Sequence, residues 1–430
     1  MNFSDKEKSK FQIFTKTWVR DSHGLFDYES PTINSNIFNP ISNGFLYRVD
    51  NKVIFTNELK QNSSEGQQPL ASLTINPKNN QDIILSTKIL KNLPVNNQTL
   101  TDLQEQIWYV VESNSLTANI KPNRFYSNFT YELKKNDIIK LGRIKYLVKE
   151  INIVGKEVQQ TEETFLPYEP TTIESQKPED EVCRICYNPG GDNSNPLISI
   201  CKCKGSMKLH LNCLRMYLKS KLSIKEIANK PGVSYIVKQF NCEICFEPYP
   251  VSVKNQDTLF HLIDYEIPVG QNYVVLQSLN SIKENSLPLA IHVLMFIDEG
   301  ESFTLGRGHE SDIKICDISV SRLHARIFMK EGKFLMEDMC SKFGTLVLSK
   351  EPVPLAPNTL LQIGRTLVFY GEDNSKKIYN KAQKEKEKLD DDKIELEPND
   401  NMKIDEEGDN NGNGECDNNE LGDEIQNLHI

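Results

Sequence analysis

The residues best suited to chemistry are cysteines and one histidine in the middle of the chain, and they come in closely spaced pairs. Two pairs have the form Cys-x2-Cys, one is Cys-x-Cys and one is His-x2-Cys. Thiolate sulfur and imidazole nitrogen are preferred zinc ligands, and a tetrahedral ion takes four of them at about 2.0 to 2.3 Å. Eight such ligands predict two closed sites without an open position for substrate, so the ions would hold the fold and perform no catalysis. In chain order the ligands are Cys183, Cys186, Cys201, Cys203, His210, Cys213, Cys242 and Cys245.

The strings around these ligands are EVCRICYN, PLISICKCKGSMKLHLNCLRMYLKS and FNCEICFEPYP, within residues 181–250. They resemble the RING-CH (RING-variant) finger of ubiquitin ligases in ligand order and in the Pro-Leu-Ile that precedes the Cys-x-Cys pair. The resemblance implies a small cross-braced α+β fold that binds two Zn²⁺ ions. It assigns one ion to Cys183, Cys186, His210 and Cys213, and the other to Cys201, Cys203, Cys242 and Cys245.

The same resemblance implies that the finger recruits a ubiquitin-conjugating enzyme and supplies no catalytic residue, because such ligases act by positioning their substrates. The implied contact residues are Ile185, inside the first Cys-x2-Cys pair, and Tyr217, on a helix that follows Cys213. Leucines at helical spacing independently predict that helix. They are Leu211, Leu214, Leu218 and Leu222.

The finger departs from the family pattern in three places. Six residues separate the Cys-x-Cys pair from the histidine, one fewer than usual, and Tyr217 replaces a tryptophan. Phe246 follows the last cysteine, where many active RING fingers have a basic residue. The short spacing, together with Phe240 two residues before Cys242, is also typical of a plant-homeodomain finger. A histone-tail reader is therefore the alternative for this module.

A second group of candidate residues lies in FTLGRGHESDIKICDISVSRLHARI and in FLMEDMCSKFGTLVL, which follows it. Over residues 272–372 the chain resembles the forkhead-associated (FHA) domain, a β-sandwich that binds phosphothreonine through loops. A guanidinium can bind a phosphate dianion through several N–H donors, and a hydroxyl adds a short charge-assisted hydrogen bond. The implied phosphopeptide-binding residues are Arg307, Ser321, Arg322, Lys342 and Gly344. His324 is expected to support the loop. Phe343 replaces the asparagine that usually bonds the peptide backbone, so a purely structural sandwich is the alternative.

Short alternating apolar runs on both sides of the finger predict a mainly β, multi-domain protein. The segments IIKLGRIKYLV (138–148) and LLQIGRTLVFY (360–370) are alike, which points either to a second, degenerate FHA-like sandwich or to chance. The predicted division is a flexible N-terminus at 1–40, a β-rich domain at 41–155, a linker at 156–180, the RING-CH finger at 181–250, a connector at 251–271, the FHA domain at 272–372 and a disordered acidic tail at 373–430.

The net charge of −10 comes from the tail, since residues 390–424 carry fifteen acids and two lysines. The remainder is close to neutral, which argues against nucleic-acid binding. The N-terminal sequence lacks the features of a secretory signal, and the longest apolar stretch, 287–297, is far shorter than the roughly 20 residues that span a bilayer. We therefore expect a soluble intracellular protein of the cytoplasm or nucleus, without a membrane span and with reduced cysteines.

Together these residues predict a ubiquitin ligase whose FHA domain brings a phosphothreonine-bearing partner to the conjugating enzyme held by the finger. Linking two binding modules in one chain raises the effective concentration of one partner near the other. The alternative is a non-catalytic, phospho-dependent adaptor or a histone reader that uses the zinc fold as a binding surface.

Overall fold

The computed structural model of the 430-residue chain describes residues 11–20, 24–58, 69–75, 83–86, 106–111, 130–156, 171–173, 181–203, 208–238, 240–255, 258–279, 288–349, 352–355 and 359–372. Within these residues the chain forms 27 β-strands and one α-helix, so the protein is mainly β, as its alternating pattern predicts. The predicted tail at 373–430 and most of the predicted linker at 156–180 lie outside the described residues. No helix in the described ranges is long and apolar enough to cross a membrane.

The strands that precede the cysteine-rich segment are β1 (Phe11–Trp18), β2 (Ile33–Phe38), β3 (Gly44–Val49), β4 (Lys52–Thr56), β5 (Pro69–Ile75), β6 (Ile83–Ser86), β7 (Ile107–Val111), β8 (Tyr131–Glu132), β9 (Ile138–Leu141), β10 (Ile144–Asn152) and β11 (Thr171–Ile173). The elements within and directly after that segment are β12 (Leu197–Ile198), β13 (Leu209–His210), α1 (Leu211–Ser220), β14 (Leu222–Glu226), β15 (Gly232–Val237), β16 (Ser252–Asn255) and β17 (Thr258–His261). The remaining strands are β18 (Asn272–Leu279), β19 (Leu289–Phe296), β20 (Ser302–Gly306), β21 (Ile313–Lys314), β22 (Ala325–Lys330), β23 (Lys333–Asp338), β24 (Thr345–Leu348), β25 (Val353–Leu355), β26 (Leu360–Ile363) and β27 (Thr366–Glu372).

Two β-sandwiches make up most of this structure, and they share one twelve-stranded sheet with the order β14-β15-β19-β18-β10-β9-β24-β7-β26-β27-β1-β2. In the first sandwich, the half of this sheet from β7 to β2 packs on a five-stranded sheet with the order β25-β6-β5-β3-β4. Alternating apolar side chains from both sheets fill the space between them. Buried members of this core are Ile13, Leu46, Leu73, Leu85, Leu361 and Val368.

Strand β1 lies in the interior of the large sheet, between β2 and β27. It lies within the segment 1–40 that was predicted to be flexible. Three of its polar residues, Gln12, Thr15 and Thr17, are buried. Because these polar residues interrupt the apolar alternation, the sequence of β1 does not resemble that of an interior strand.

The second sandwich uses the β19-β18-β10-β9-β24 part of the large sheet, packed on a sheet with the order β21-β20-β22-β23-β8. Its core is aromatic at the centre. The Phe296 ring lies 5.1 Å from the Phe303 ring and 4.9 Å from the Phe334 ring, measured between centroids. Ile139 and Val148, from the exchanged segment described next, are buried in the same core.

Each sandwich is closed by strands from the other half of the chain. The β9–β10 hairpin lies in the second sandwich, where β10 pairs with β18 and β9 with β24. The β26–β27 hairpin lies in the first sandwich, where β27 pairs with β1 and β26 with β7. These hairpins are the two similar segments at 138–148 and 360–370. The strand pairing therefore does not follow the predicted boundaries at 41–155 and 272–372, because each of those ranges contributes strands to both sandwiches.

The exchange occurs where β7 and β24 pair side by side in antiparallel directions. At one end of β7, Ile107 belongs to the core of the first sandwich, and at the other end Val111 belongs to the core of the second. The next described strand, β8, pairs with β23 in the second sandwich.

The cysteine-rich segment is joined to the second sandwich by a continuous sheet and a shared core. Helix α1 buries Leu211, Leu214 and Leu218 and ends at Ser220, so Leu222, predicted as helical, begins β14 instead. The β14–β15 hairpin then adds to the large sheet, with six residues of β15 opposite β19. The buried leucines of α1 belong to the same core as Val293 on β19.

The predicted connector at 251–271 contains the β16–β17 hairpin, and β11 pairs with β16 in parallel. Val253, Leu262 and Ile263 from this segment are buried in the core that the finger shares with the second sandwich. The connector is therefore a packed part of the junction.

Candidate functional site

The cysteines and the histidine form two clusters that could each hold a zinc ion. Cys183 and Cys186 lie with His210 and Cys213, while Cys201 and Cys203 lie with Cys242 and Cys245. Within each cluster all ligand atoms are within 4.8 Å of one another. Ligands that surround one zinc ion at about 2.0 to 2.3 Å stand roughly 3.3 to 3.8 Å apart, so the spacing fits the metal. The structure thus brings the residues together in the cross-braced groups that the resemblance implied.

The two Cys-x2-Cys segments, here called the first hook (183–186) and the second hook (242–245), repeat one backbone geometry. In the first hook, the Tyr187 N–H donates to the Cys183 carbonyl at 2.8 Å. In the second, the Phe246 N–H donates to the Cys242 carbonyl at 2.9 Å. Both aromatic residues have φ of 57°. Phe246, noted above as a departure from the family, is therefore the structural counterpart of Tyr187 in the other hook.

The first cluster is arranged to hold a metal ion. Burial raises the pKa of Cys183, but backbone N–H groups directed at its sulfur outweigh this effect and lower the pKa to about 6. The His210 Nδ1 atom faces the cluster, 3.3 Å from the Cys186 sulfur and 3.9 Å from the Cys213 sulfur. Its Nε2 lies 2.5 Å from the Gly190 carbonyl, to which it can donate. A carbonyl acceptor at Nε2 fixes the tautomer that leaves Nδ1 available for the metal.

In the second cluster, Cys242 shows the same balance as Cys183. Burial raises the pKa of Cys242, while the backbone N–H groups of Cys245 and Ile244 lower it, to about 6 overall. The Cys203 and Cys242 sulfurs are 3.7 Å apart, which is close to the separation expected around zinc. Each cluster offers four protein ligands and leaves no open coordination position, so the chemistry it supports is structural.

Apolar side chains next to the clusters are exposed. Ile185 in the first hook is 44% exposed, and Ile244, at the same position in the second hook, is 51% exposed. Tyr217 on α1 is half-buried, and the Lys221 ammonium lies 4.8 Å from the centre of its ring. Lys221 also pairs with Glu243 of the second hook. Ile244 was not among the predicted contact residues, although the repeated Cys-x-Ile-Cys pattern is a signal that could have identified it.

The second candidate site lies in the loops between β20 and β24 of the second sandwich. Arg307 directly follows β20, and its side chain is exposed. Its backbone N–H donates to the Ser321 carbonyl at 2.9 Å, and its Nε donates to the Val320 carbonyl at 3.3 Å. These bonds bring Arg307 beside Ser321.

His324 is buried and links two of these loops, as expected. Its Nδ1 accepts a hydrogen bond from the Ser321 N–H at 3.0 Å, which leaves Nε2 to donate to the Gly344 carbonyl at 3.1 Å. The Arg322 side chain is exposed, while its carbonyl accepts bonds from the Gly308 N–H and the Ser311 hydroxyl. Because the Lys342 N–H also donates to the Ser321 hydroxyl, all five candidate residues lie in loops connected by hydrogen bonds.

Lys342 and its neighbours face residues from the first half of the chain. The Lys342 ammonium is 3.5 Å from the Asp27 carboxylate, and the Phe343 ring packs near Trp18, with centroids 6.3 Å apart. Gly344 has φ of 72°, and an added Cβ would lie 2.6 Å from the Tyr28 ring. Phe343 is thus part of an apolar cluster that includes Trp18 and Leu367.

Arg143, which was not among the predicted site residues, reaches the loop between β21 and β22 from the exchanged hairpin. Its guanidinium pairs with Asp317 at 3.0 Å. The repeated Gly-Arg turn in the two similar segments was the available signal, but its partner could not be identified before the exchange was known.

Two family models match the chain in the regions of these sites. The RING-variant domain matches residues 183–245, and the FHA domain matches residues 303–364. The FHA match runs from the second sandwich into β25 and β26, which lie in the first sandwich. The matched segment is therefore continuous in sequence but contributes strands to both sandwiches.

Several curated proteins are similar to the cysteine-rich region. The E3 ubiquitin-protein ligase MARCHF7 of Pongo abelii is 29% identical over 85 residues, which are 20% of this chain and 11% of that protein. The probable E3 ubiquitin-protein ligase MARCHF10 of Homo sapiens is 43% identical over 51 residues, 12% of this chain and 6% of that protein. The probable E3 ubiquitin ligase SUD1 of Arabidopsis thaliana is 33% identical over 81 residues, 19% of this chain and 6% of that protein. The matched segment thus spans only 6 to 11% of these relatives.

Two solved structures match about a fifth of the chain. One, from a structural and functional analysis of phosphothreonine-dependent FHA domain interactions, is 23% identical and covers 21% of this chain and 88% of its own, with a TM-score of 0.12. The other, the FHA domain of the CT664 protein from Chlamydia trachomatis, is 27% identical and covers 19% of this chain and 84% of its own, with a TM-score of 0.11. From the two family matches, the chain contains a RING-variant domain at residues 183–245 and an FHA domain at residues 303–364.

Proposed function

We propose that this protein is a RING-type ubiquitin ligase that recruits a ubiquitin-conjugating enzyme through its zinc finger and a phosphothreonine-bearing partner through its FHA loops. The observation that carries the proposal is the union of both modules in one sheet, through β15 and β19. A partner bound at the loops would be held in a defined position relative to the finger.

The conjugating enzyme would dock on the exposed apolar side chains next to the two zinc clusters. Ile185 and Ile244 project from the hooks, and Tyr217 is fixed beneath Lys221 on the adjoining helix. Small apolar anchors on a rigid frame are suited to binding another protein, because little side-chain entropy is lost on association. The zinc ions, held by their four ligands, keep the hooks in shape.

The finger would promote transfer by positioning. Its metal clusters are closed and would supply no nucleophile. In the proposed reaction the nucleophile is the lysine of the substrate, and the electrophile is the ubiquitin thioester on the conjugating enzyme. Holding both partners on one frame converts an encounter between separate molecules into a reaction between oriented groups. The frame consists of α1, the β14–β15 hairpin and the β19 strand.

The phosphothreonine would be held by Arg307 and Ser321, with further donors from Arg322 and Lys342. The Arg307 backbone and Nε are bonded to the neighbouring loop, which orients its guanidinium. The Ser321 hydroxyl accepts a bond from the Lys342 N–H at 3.0 Å and can still donate its own proton to a phosphate oxygen. Charge-assisted bonds of this type are about twice as strong as neutral ones.

Ligase activity is tested by mixing the zinc-loaded protein with a panel of conjugating enzymes, ubiquitin-activating enzyme, ATP and ubiquitin. We expect chain formation with at least one enzyme and at least a roughly tenfold loss for Ile185→Ala, since interface anchors commonly contribute more than about 1.4 kcal/mol. The matched control is Ile224→Ala, because Ile224 is 59% exposed on β14 but lies outside the hooks.

A non-catalytic adaptor is the second candidate, and Phe246 is the observation that favours it. This exposed aromatic residue stands after the last cysteine, where many active RING fingers carry a basic residue. Absence of ubiquitin chains across the whole panel, with phosphopeptide binding intact, would support the adaptor and contradict the ligase.

The FHA part of the proposal is tested separately, by fluorescence anisotropy with a peptide mixture that is degenerate except for a central phosphothreonine. The same mixture with unmodified threonine is the control. Binding that requires the phosphate and is lost in Arg307→Ala supports the proposal, and equal affinity for both mixtures contradicts it.

A further inference from the structure

The loop that carries the candidate phosphate ligands is held by a residue from outside the FHA segment. Arg143, in the turn of the β9–β10 hairpin, donates from its guanidinium to both carboxylate oxygens of Asp317, at 3.0 and 3.2 Å. Its backbone N–H also donates to the Ser319 hydroxyl oxygen at 2.9 Å. Gly142, at φ of 58°, permits this approach, because a Cβ there would lie 2.4 Å from the Ser319 carbonyl oxygen.

Asp317 organises the loop to which it belongs. Its carboxylate accepts the Ser319 N–H at 2.8 Å and the Ser319 hydroxyl at 2.5 Å. Its carbonyl accepts the Val320 N–H at 3.0 Å. Because the Val320 carbonyl is the acceptor for Arg307 Nε, contacts run without interruption from Arg143 to the proposed phosphate ligand.

The same ion pair also affects the charge of the loop. Asp317 is four residues from Ser321, and an uncompensated carboxylate there would repel a phosphate dianion. Arg143 neutralises that carboxylate and remains partly exposed, with 38% of its side chain accessible against 10% for Asp317. The pair therefore both shapes the loop and removes a repulsive charge.

We infer that Arg143 is a positioning residue of the phosphopeptide site, so that the site is complete only when the exchanged hairpin is in place. This inference rests on the proposed function of the FHA loops. It places one determinant of phosphopeptide affinity 164 residues before Arg307 in the sequence, in the half of the chain that carries β9 and β10.

The first test measures the affinity of the full-length, zinc-loaded protein for the phosphothreonine peptide mixture. We expect Arg143→Ala to weaken binding roughly fivefold, a value that allows for the solvent exposure of the pair. Arg143→Lys should recover part of the loss, because it keeps the positive charge but lacks the planar guanidinium. Unchanged affinity in Arg143→Ala, with binding abolished in Arg307→Ala, overturns the inference while leaving the proposed function intact.

The matched control is Arg326→Ala. Arg326 pairs with Glu337 at 2.5 Å, and their side chains are 40% and 7% exposed, almost the same as in the Arg143 pair. Arg326 and Glu337 face each other on the neighbouring strands β22 and β23. We expect its loss to change the affinity less than about twofold. An effect as large as that of Arg143→Ala would indicate a general loss of stability and contradict a positioning role.

The second test does not depend on peptide binding. Hydrogen exchange followed by mass spectrometry should show faster exchange of the Ser319 and Val320 amides in Arg143→Ala than in the wild type or in Arg326→Ala. If the wild type binds no phosphopeptide, the proposed function fails, yet this measurement still decides whether Arg143 orders the loop. Equal protection of the two amides in all three proteins rejects the inference.

Discussion

The two sandwiches have the same strand order but differ in the loops at one end. In the first, β3 and β4 are joined by only two residues, Asp50 and Asn51. In the second, six residues, 307–312, separate β20 from β21, and the first of them is Arg307. A two-residue turn has no room for a ligand-binding side chain held by neighbouring loops, whereas the longer connection does.

The arginines of the exchanged hairpins show the same contrast. Arg365, in the first sandwich, donates to the carbonyls of Trp18, Val19 and Asp50 and to the Asn51 side chain. These hydrogen bonds connect the turn of the β26–β27 hairpin to residues at the ends of β1 and β3. Arg143, in the second, pairs with a carboxylate in the loop proposed to bind phosphate. The same scaffold thus directs its hairpin arginine to the fold in the first sandwich and to the loop proposed to bind phosphate in the second.

Removal of zinc should produce the largest difference in stability between the two sandwiches. The finger shares the β15–β19 pairing and a core with the second sandwich. Metal binding to structural sites of this type contributes on the order of 10 kcal/mol, so chelation should unfold the finger. We expect hydrogen exchange to accelerate in β18 and β19 and to change little in β3 and β5. Equal acceleration in both sandwiches would show that they do not differ in their dependence on the finger.

The number of phosphopeptide sites per chain tests whether the loops of the two sandwiches differ in function. We expect one binding site per chain by titration calorimetry, because only the second sandwich has the Arg307 loop. Arg307→Ala should weaken binding on the order of a hundredfold, which corresponds to the loss of about 3 kcal/mol from charge-assisted hydrogen bonds. Two sites per chain, or a second site that survives Arg307→Ala, would assign a binding function to the first sandwich as well.

Acid should weaken the second sandwich before the first. Burial lowers the pKa of His292 on β19 from its ordinary value of 6.5 to about 4. As the pH falls, the unfolded chain therefore protonates at His292 before the folded chain does. The free energy of unfolding decreases as the pH falls from 6.5 toward 4, and it is about 2 kcal/mol lower at pH 5 than above pH 6.5. Urea unfolding at pH 7 and pH 5 should show this loss.

The variant His292→Gln should have a smaller pH dependence than the wild type, and His309→Gln, at an exposed position, should not. The described strands of the first sandwich contain no histidine, so their exchange rates should respond less to acid. An unchanged pH dependence in His292→Gln would contradict this assignment.

The smallest expected effect concerns Phe343, a second-sandwich residue that packs with the Trp18 and Leu367 cluster of the first. Phe343→Ala should lower the free energy of unfolding by about 1.5 kcal/mol. This loss is smaller than for a fully buried phenylalanine, because the half-buried ring removes less apolar area from water on folding. Faster hydrogen exchange around Trp18 would locate the effect. Phe328→Ala, half-buried on β22, is the control, and an identical exchange pattern in both variants would show that Phe343 does not link the sandwiches.

The zinc ligands could be predicted from the sequence because their chemistry is local. Two ligands separated by two residues already reach one ion, so spacing alone identifies each hook. Helix α1 was predicted for a similar reason, since Leu211, Leu214 and Leu218 repeat with the helical period. These features depend on neighbours within a few residues.

The strand exchange could not be predicted, because apolar alternation shows that a strand forms but not which strand it pairs with. The hairpins at 138–148 and 360–370 have the same pattern, so either could close either sandwich. The contact between Arg143 and Asp317 depends on that choice, as does the packing of Phe343 near Trp18. The zinc clusters were therefore predictable and the supports of the proposed phosphate site were not.

The exchanged hairpins also determine the order in which a nascent chain can complete its fold. The β9–β10 hairpin leaves the ribosome about 120 residues before β18, with which it pairs, and the second sandwich cannot close until translation has passed residue 348. The first sandwich must wait for β27, which ends at residue 372. Long-range pairings of this kind slow folding and leave strand edges unprotected. The half of the protein that is synthesised first is thus the last to be completed, and we expect it to need chaperone protection during translation.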